Sequence, residues 1–222
     1  ADHFGWRAAT ATMGVLALGA SVYFWRTLPA SRNFARSTPG IAALMRGGAS
    51  ILRDRVFLLL FAVGFLLMGS FVTTYNYITF RLLAPPFSLS HTVVGLVFLV
   101  YLTGIVGSPL IGGLSSRIGP AKVLWAMPVL ILAGLLLTLP DAWPTVLLGL
   151  AILTFGFFAG HSVASGWVSR RASHNRALAA SIYLFAYYQG SSVLGAVGGI
   201  FGQTWSWAGV CGLTGALALA CI

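Results

Sequence analysis

The sequence predicts an all-α membrane protein with seven transmembrane helices, on three observations. Only 7% of its 222 residues are charged and 58% are hydrophobic, with a mean hydropathy of +0.92, whereas a soluble domain carries about 25% charged residues. The apolar residues fall into seven uncharged runs, at 8–25, 56–80, 92–114, 123–139, 145–167, 178–201 and 207–222, each near the roughly 20 residues that a helix needs to cross the hydrocarbon core. Backbone groups in lipid must be satisfied within the element itself, and the two-residue alternation of a membrane β-barrel is absent, so the runs are helices.

Turns bearing Pro, Asp, Ser or Arg separate the runs, and the cations in those turns set an orientation. Arg26, Arg32, Arg36, Arg46, Arg53, Arg55, Arg117, Lys122, Arg170, Arg171 and Arg176 lie at one end of the predicted spans, and only Arg7 and Arg81 at the other. Cytoplasmic loops hold the excess of Lys and Arg, so the chain is expected to start outside and to end with a cytoplasmic C-terminus. Trp6, Trp25, Trp125, Trp143, Trp167, Trp205 and Trp207 all fall at or near span ends, where indoles favour the interface. The net charge of +10, from 13 Lys and Arg against 3 acidic residues, would suit nucleic acid. Its scatter among short turns, in place of one basic face, excludes that partner and leaves the lipid bilayer.

The longest connection runs from Pro29 to Arg55 and is broken by Pro39, Gly40, Gly47 and Gly48. Ile41-Ala42-Ala43-Leu44-Met45 and Ile51-Leu52 within it suit either a short helix on the membrane surface or a solvated linker. One span precedes this linker and six follow it. Phe4-Gly5-Trp6-Arg7-Ala8 ahead of the first span is echoed by Gly202-Gln203-Thr204-Trp205-Ser206-Trp207-Ala208 ahead of the last, as in transporters built from repeated halves. The chain starts without Met and without a signal peptide's basic start and cleavage site, and is expected to belong to a longer protein. Cys211 and Cys221 share the last run, about 15 Å apart along a helix, too far to bridge.

The turn after the third run reads Gly112-Gly113-Leu114-Ser115-Ser116-Arg117-Ile118-Gly119-Pro120-Ala121-Lys122. It resembles the cytoplasmic loop signature of the major facilitator superfamily, G-x-L-x-D-R-x-G-x-(R/K)-x, between the second and third helices of each six-helix half. Gly112, Leu114, Arg117 and Gly119 match; Ser116 stands at the acidic position, and Lys122 lies just beyond the basic ones. Phe4-Gly5-Trp6-Arg7, Leu28-Pro29-Ala30-Ser31-Arg32, Tyr75-Asn76-Tyr77, Tyr101-Leu102-Thr103-Gly104, and Tyr183 with Tyr187-Tyr188-Gln189-Gly190 are similar to the bacterial drug- and sugar-efflux branch. The resemblance implies helices 6–12 of a twelve-helix facilitator fold, with residues 1–28 as the last helix of the N-terminal bundle, 29–55 as the cytoplasmic central linker and 56–222 as the C-terminal six-helix bundle. It implies a secondary active transporter of the bacterial inner membrane, working by alternating access with the missing N-terminal six-helix half, in proton-coupled efflux of a small-molecule substrate.

Asp2, Asp54 and Asp141 all fall in turns, so no span holds a carboxylate to carry protons. The titrating group is then expected on the other half or at His161, inside the fifth of the seven spans; the alternative for His161 is a neutral imidazole bonded between helices. Gly69, Thr73 and Asn76, with Tyr77 adjacent, share a face of the second span, Thr154, Phe157 or Phe158, His161 and Ser165 a face of the fifth, and Tyr183 and Tyr187 a face of the sixth. With Tyr101, these residues form a candidate substrate path, and the resemblance implies that the stripes of the second and fifth spans line the central cavity. Without charge, it suits neutral or amphiphilic solutes; interhelical hydrogen bonding is the alternative for each residue. Gly190, Gly195, Gly198, Gly199 and Gly202 form a small-residue seam for close helix approach.

No enzyme is expected. Gly160-His161-Ser162-Val163-Ala164 mimics a serine-hydrolase elbow but lies mid-helix, where the required strand-to-helix turn is absent. His3, His91 and His174 fall in turns, and neither metal-ligand spacing nor a cofactor-cradling loop occurs. Seven spans also describe a heptahelical receptor, a retinal protein or a non-transporting scaffold. A retinal protein needs a lysine in its last helix, and the only lysine is Lys122 in a turn. A receptor of the G-protein class is expected to carry an acidic-Arg-aromatic triplet and N-P-x-x-Y, and neither occurs.

Because Ser116 replaces the acid of the signature, Arg117 and Lys122 are expected to anchor topology more than to gate. Arg117→Ala should lower the yield of correctly inserted protein more than it alters transport per inserted molecule, measured by comparing membrane insertion with flux. A normal yield with lost flux would restore the gate.

Overall fold

The computed structural model describes residues 5–29, 40–172 and 175–222, and the described residues form helices and connecting turns with no strand. Asp2, His3, Phe4, Ala30, Ser31, Arg32, Arg36, Pro39 and His174 lie outside the described residues. The helices are α1 (Gly5–Thr27), α2 (Ile41–Arg53), α3 (Arg55–Leu83), α4 (His91–Val97), α5 (Leu102–Ile118), α6 (Pro120–Leu137), α7 (Trp143–Arg171) and α8 (Arg176–Leu219), with a 3₁₀ turn, Phe98–Tyr101, between α4 and α5. α1, α3, the α4–α5 pair, α6 and α7 are long and apolar enough to cross a membrane. α8 divides into two arms, the last two helices of the seven-helix fold, because Trp205 (φ −127°, ψ 19°) and Ser206 (φ 53°, ψ −146°) leave the helix and fold it back. The sequence places a break at the same point.

Local chemistry sets the boundaries. Asp54 is the only residue between α2 and α3; its carboxylate accepts the Val56 amide at 2.9 Å and so caps α3. Gly119, at φ +96°, makes the turn into α6, and Pro120 follows at the first helical position. Ser90 caps α4 through the Val93 amide. In the 3₁₀ turn, residues three apart eclipse; Phe98 and Tyr101 accordingly both meet Tyr75, with ring centroids 5.6 and 4.9 Å away.

Six of the spans pack into a bundle, α3 chiefly against α8, α6 against α7, and α5 against α7; no residue of α1 is buried. The first arm of α8 runs from beside Gly47 to Tyr77, and the second returns along α6, from Trp207 at Thr138 to Ile222 at Trp125. One core cluster holds Leu67, Phe71, Ile78, Leu150 and Phe157; the other, nearer the basic end, holds Phe57, Phe61, Met127, Val163 and Tyr183.

Lipid chains are as apolar as leucine, so burial alone does not draw helices together, and close approach must supply the packing. Glycine provides it. A Cβ on Gly134 would stand 2.5 Å from the Gly149 carbonyl oxygen and the converse is equally tight; one on Gly190 would stand 2.0 Å from the Phe65 carbonyl oxygen. The expected seam packs on α3, Gly198 against Thr73 and Gly199 against the Tyr77 hydroxyl. Gly190→Ala must push α3 and α8 backbones apart and should cost about 1–3 kcal/mol, read as a lower thermal midpoint in detergent. Gly212→Ala, where a Cβ meets nothing within 4 Å, should be neutral or mildly stabilising; equal effects of the two would contradict this packing.

Candidate functional site

The centre of the bundle is an uncharged aromatic wall drawn from α3, the 3₁₀ turn, α7 and α8. Phe71 and Phe157 stack with centroids 3.8 Å apart, Tyr101 lies 5.4 Å from Phe71, and Phe157 continues to His161, which meets Tyr187 at 4.5 Å and Tyr183 at 5.7 Å. The tilted pairs among these add attraction beyond their buried area, while Phe71 and Phe157 lie nearly face to face. Two polar pairs lie within the wall: the Tyr75 hydroxyl with Thr154 Oγ1 at 2.6 Å, and His161 Nδ1 with the Tyr183 hydroxyl at 3.1 Å. A hydroxyl left unbonded in such surroundings would cost free energy, so these pairs fix the rings.

The structure thus brings Tyr101, Phe157, His161, Tyr183 and Tyr187, from the 3₁₀ turn, α7 and α8, together. It divides the α3 residues. Thr73 is wholly buried and donates to the Leu194 carbonyl at 2.9 Å, and the Tyr77 hydroxyl donates to the Gly195 carbonyl at 3.0 Å, both tying α3 to α8. For these two, the interhelical alternative is the one seen here. Asn76 is exposed and borders a cavity of about 440 Å³ with Val72, Tyr75, Phe98 and Tyr101. Tyr75, which the sequence marks only within Tyr75-Asn76-Tyr77, stands opposite Thr154 of the α7 stripe, a pairing across 79 residues that spacing within α3 does not show.

The glycine and arginine stretch, read from the sequence as a turn, is helical except at Gly119: Gly112 to Ile118 form the end of α5 and Pro120 to Lys122 open α6; Gly112 is exposed with open space about it, and Ser116 donates back to the Gly113 carbonyl at 2.7 Å. Arg117 and Lys122 are exposed. Among the described residues, the ion pairs are Arg81–Asp141 and Arg171–Asp54, one at each end of the bundle.

Neither pair follows from local sequence. Arg81 donates to the Thr138 carbonyl, to those of Leu139 and Pro140 at 3.0 and 3.3 Å, and to Asp141 at 2.7 Å. Its guanidinium also stands 5.2 and 5.3 Å from the Phe87 and Trp207 ring centres. It therefore caps the C-terminus of α6, where carbonyls lack helical partners and positive charge is favoured. A cavity of about 730 Å³ opens beside it, bordered by Tyr77, Pro86, Gln203, Trp205 and Trp207. At the other end, Arg171 Nε reaches Asp54 Oδ2 at 2.8 Å and its guanidinium lies over Phe57.

The sequence description of the Major Facilitator Superfamily matches residues 66–222. The chain belongs to the major facilitator superfamily. It is 46% identical over 215 residues to an uncharacterized MFS-type transporter, YybF, of Bacillus subtilis, covering 96% of this chain and 52% of that protein. It is 44% identical over 209 residues to the inner membrane transport protein YnfM of Escherichia coli, covering 94% and 50%. An uncharacterized transporter of Buchnera aphidicola is 38% identical over 210 residues, covering 95% and 51%. The chain spans about half the length of the curated relatives it matches. No solved structure matches it. The receptor and scaffold alternatives gain nothing from these relatives, which are named as facilitators and transporters.

In this facilitator chain, the Asp54–Arg171 pair joins the start of α3 to the end of α7. Hydrogen bonding to Arg171, more than the Val56 amide, holds the Asp54 carboxyl below its ordinary value of 3.8. A depressed carboxylate contributes stability that is fully present above its unfolded value and lost as pH falls through the folded one. Asp54→Asn keeps a cap on α3 and removes the charge. Its thermal midpoint should lie below that of the unmodified protein at neutral pH and converge on it as pH drops below about 4. A pH-independent gap would remove the charge from the account.

Proposed function

We propose that the chain is the C-terminal half, with one preceding helix, of a secondary active facilitator that exports a small neutral or amphiphilic solute by alternating access. The observation that carries this reading is the uncharged wall of Tyr101, Phe157, His161, Tyr183 and Tyr187, with Asn76 as the exposed amide beside it, in a chain of this superfamily. Residues 1–28 are read as the last helix of the N-terminal bundle, 29–55 as the linker and 56–222 as the second bundle. The basic end is the cytoplasmic one by the charge rule, which leaves the C-terminus in the cytoplasm of a bacterial cell with the protein in the inner membrane. The efflux direction and proton antiport rest on the tyrosine motifs similar to the efflux branch.

The described acidic residues are Asp54 and Asp141, both at span ends, so a coupled proton must be carried by His161 with Tyr183 or by the N-terminal six-helix half. Proton-coupled flux of a solute panel through the full-length protein in liposomes tests the reading. Asn76→Ala should slow export of at least one solute by roughly three- to tenfold, the effect of one hydrogen bond. His161→Ala should change the proton-to-solute ratio if the imidazole carries the proton, and an unchanged ratio assigns coupling to the other half. Folded protein that moves no solute of the panel would count against transport by this path.

A further inference from the structure

The cavity of about 730 Å³ beside Arg81 lies at the end of the bundle away from Arg117 and Lys122, and the aromatic wall does not border it. Its size is that of small-molecule sites, about 300–1,000 Å³. It is enclosed by the end of α3 with the residues that follow, by the α6–α7 turn, and by the bend between the two arms of α8. Phe80 and Trp205 offer it rings that are 67% and 59% exposed, and Gly199 and Gly202 border it with backbone alone.

Charge decides what the cavity can take. Its described lining holds one cation, Arg81, and one anion, Asp141. Arg81 is spent: its side chain is 11% exposed, and Nη1 and Nη2 donate to the carbonyls of Thr138, Leu139 and Pro140 and to Asp141. Asp141 is not. It is 62% exposed and gives Oδ1 to Arg81, while Oδ2 has no hydrogen-bond partner among the described residues. Three helices, α3, α6 and the first arm of α8, end at this site, and one, the second arm, begins there; helix C-termini carry partial negative charge. A free carboxylate oxygen and an excess of helix C-termini favour a positive ligand. The same surface already seats a cation on rings, since the Arg81 guanidinium lies over Phe87 and Trp207. Phe80 and Trp205 carry none among the described residues and can flank another.

We propose that this cavity binds a monovalent organic cation with an apolar body, its charge facing Asp141 Oδ2 and its body between Phe80 and Trp205. Binding here requires neither transport nor the aromatic wall, and so stands apart from the solute reading. Full-length protein in dodecyl maltoside, whose headgroup is uncharged, is titrated with tetraphenylphosphonium and with tetraphenylborate, an anion of the same shape. The cation should saturate. Asp141→Asn should weaken it about three- to fivefold and strengthen the anion, because Arg81 is then uncompensated, an opposition of sign that a misfolded variant would not give. Asp141→Glu should restore cation binding. Trp205→Ala should weaken the cation by a similar factor, Trp205→Phe should recover most of it, and Asn76→Ala, in the neighbouring cavity, should leave it unchanged. Tetraphenylphosphonium should slow maleimide labelling of Gln203→Cys in an otherwise cysteine-free protein, and added phosphatidylethanolamine should not compete. The proposal is overturned by the absence of saturable cation binding, by Asp141→Asn weakening both ions or neither, by a loss as large in Asn76→Ala, by unprotected labelling at position 203, or by competition from the lipid amine, which would make the ligand a headgroup.

Discussion

The bundle depends on how closely α3 and α8 approach. In water, each buried side chain of this core would contribute about 1.5–3 kcal/mol by leaving solvent; between helices already in lipid that drive is lost, and only contact and hydrogen bonding remain. At Gly190 the two backbones come so near that a single carbon would not fit. The approach puts the Leu194 and Gly195 carbonyls within reach of Thr73 and Tyr77, whose hydroxyls bond across the same interface. Close packing and polar pairing therefore reinforce each other, since neither hydroxyl could reach past a larger residue. The aromatic wall follows from this contact, because the first arm of α8 carries Tyr183 and Tyr187 onto α7.

Charge is distributed by the same constraint. An ion in hydrocarbon is costly unless paired, and the two ion pairs among the described residues sit at opposite ends, each joining helices distant in sequence. Arg81 satisfies the carbonyls at the end of α6 and meets Trp207, which itself donates to the Thr138 carbonyl and hydroxyl at 3.1 and 3.2 Å. Arg171 meets the residue that caps α3. Each arginine thus settles a helix end that would otherwise present unbonded groups at the membrane boundary. Between them the wall is neutral, held by rings and hydroxyls.

Much of this was legible in the sequence, because hydrophobic runs, interruptions and the 3.6-residue period are properties of single segments. The break between the last two runs, the glycine turn before α6 and the periodic apolar residues of α2 are of that kind. The stripe of Gly69, Thr73 and Asn76 shows the limit. Its members do lie along α3, but which neighbour covers each depends on the path of α8, more than a hundred residues later: Gly69 and Thr73 meet Leu194, while Asn76 stays exposed. Arg81 stood out only as a cation at the wrong end, since its acceptors lie 57 to 60 residues away. Phe157 and Phe158 were inseparable by spacing; the structure stacks the first flat on Phe71 and lays the second against Gly104.

The proposed solute path inherits its character from what these hydroxyls already do. Thr73, Tyr75, Tyr77, Thr154 and Tyr183 bond to each other, to His161 or to backbone carbonyls, so they have little left to offer a passing molecule. A site built to bond a solute hydroxyl or amide rejects analogues that lack it by large factors, because its own groups are then stranded; an apolar surface separates solutes differing by a methylene only by about 1–3 kcal/mol. In the wall itself the Tyr183 hydroxyl is engaged with His161, while those of Tyr101 and Tyr187 have ring contacts but no hydrogen bond among the described residues. On the proposed reading, the wall offers a solute aromatic contact area together with the hydroxyls of Tyr101 and Tyr187 and the exposed Asn76 amide, so size and apolarity come first and a few hydrogen bonds second.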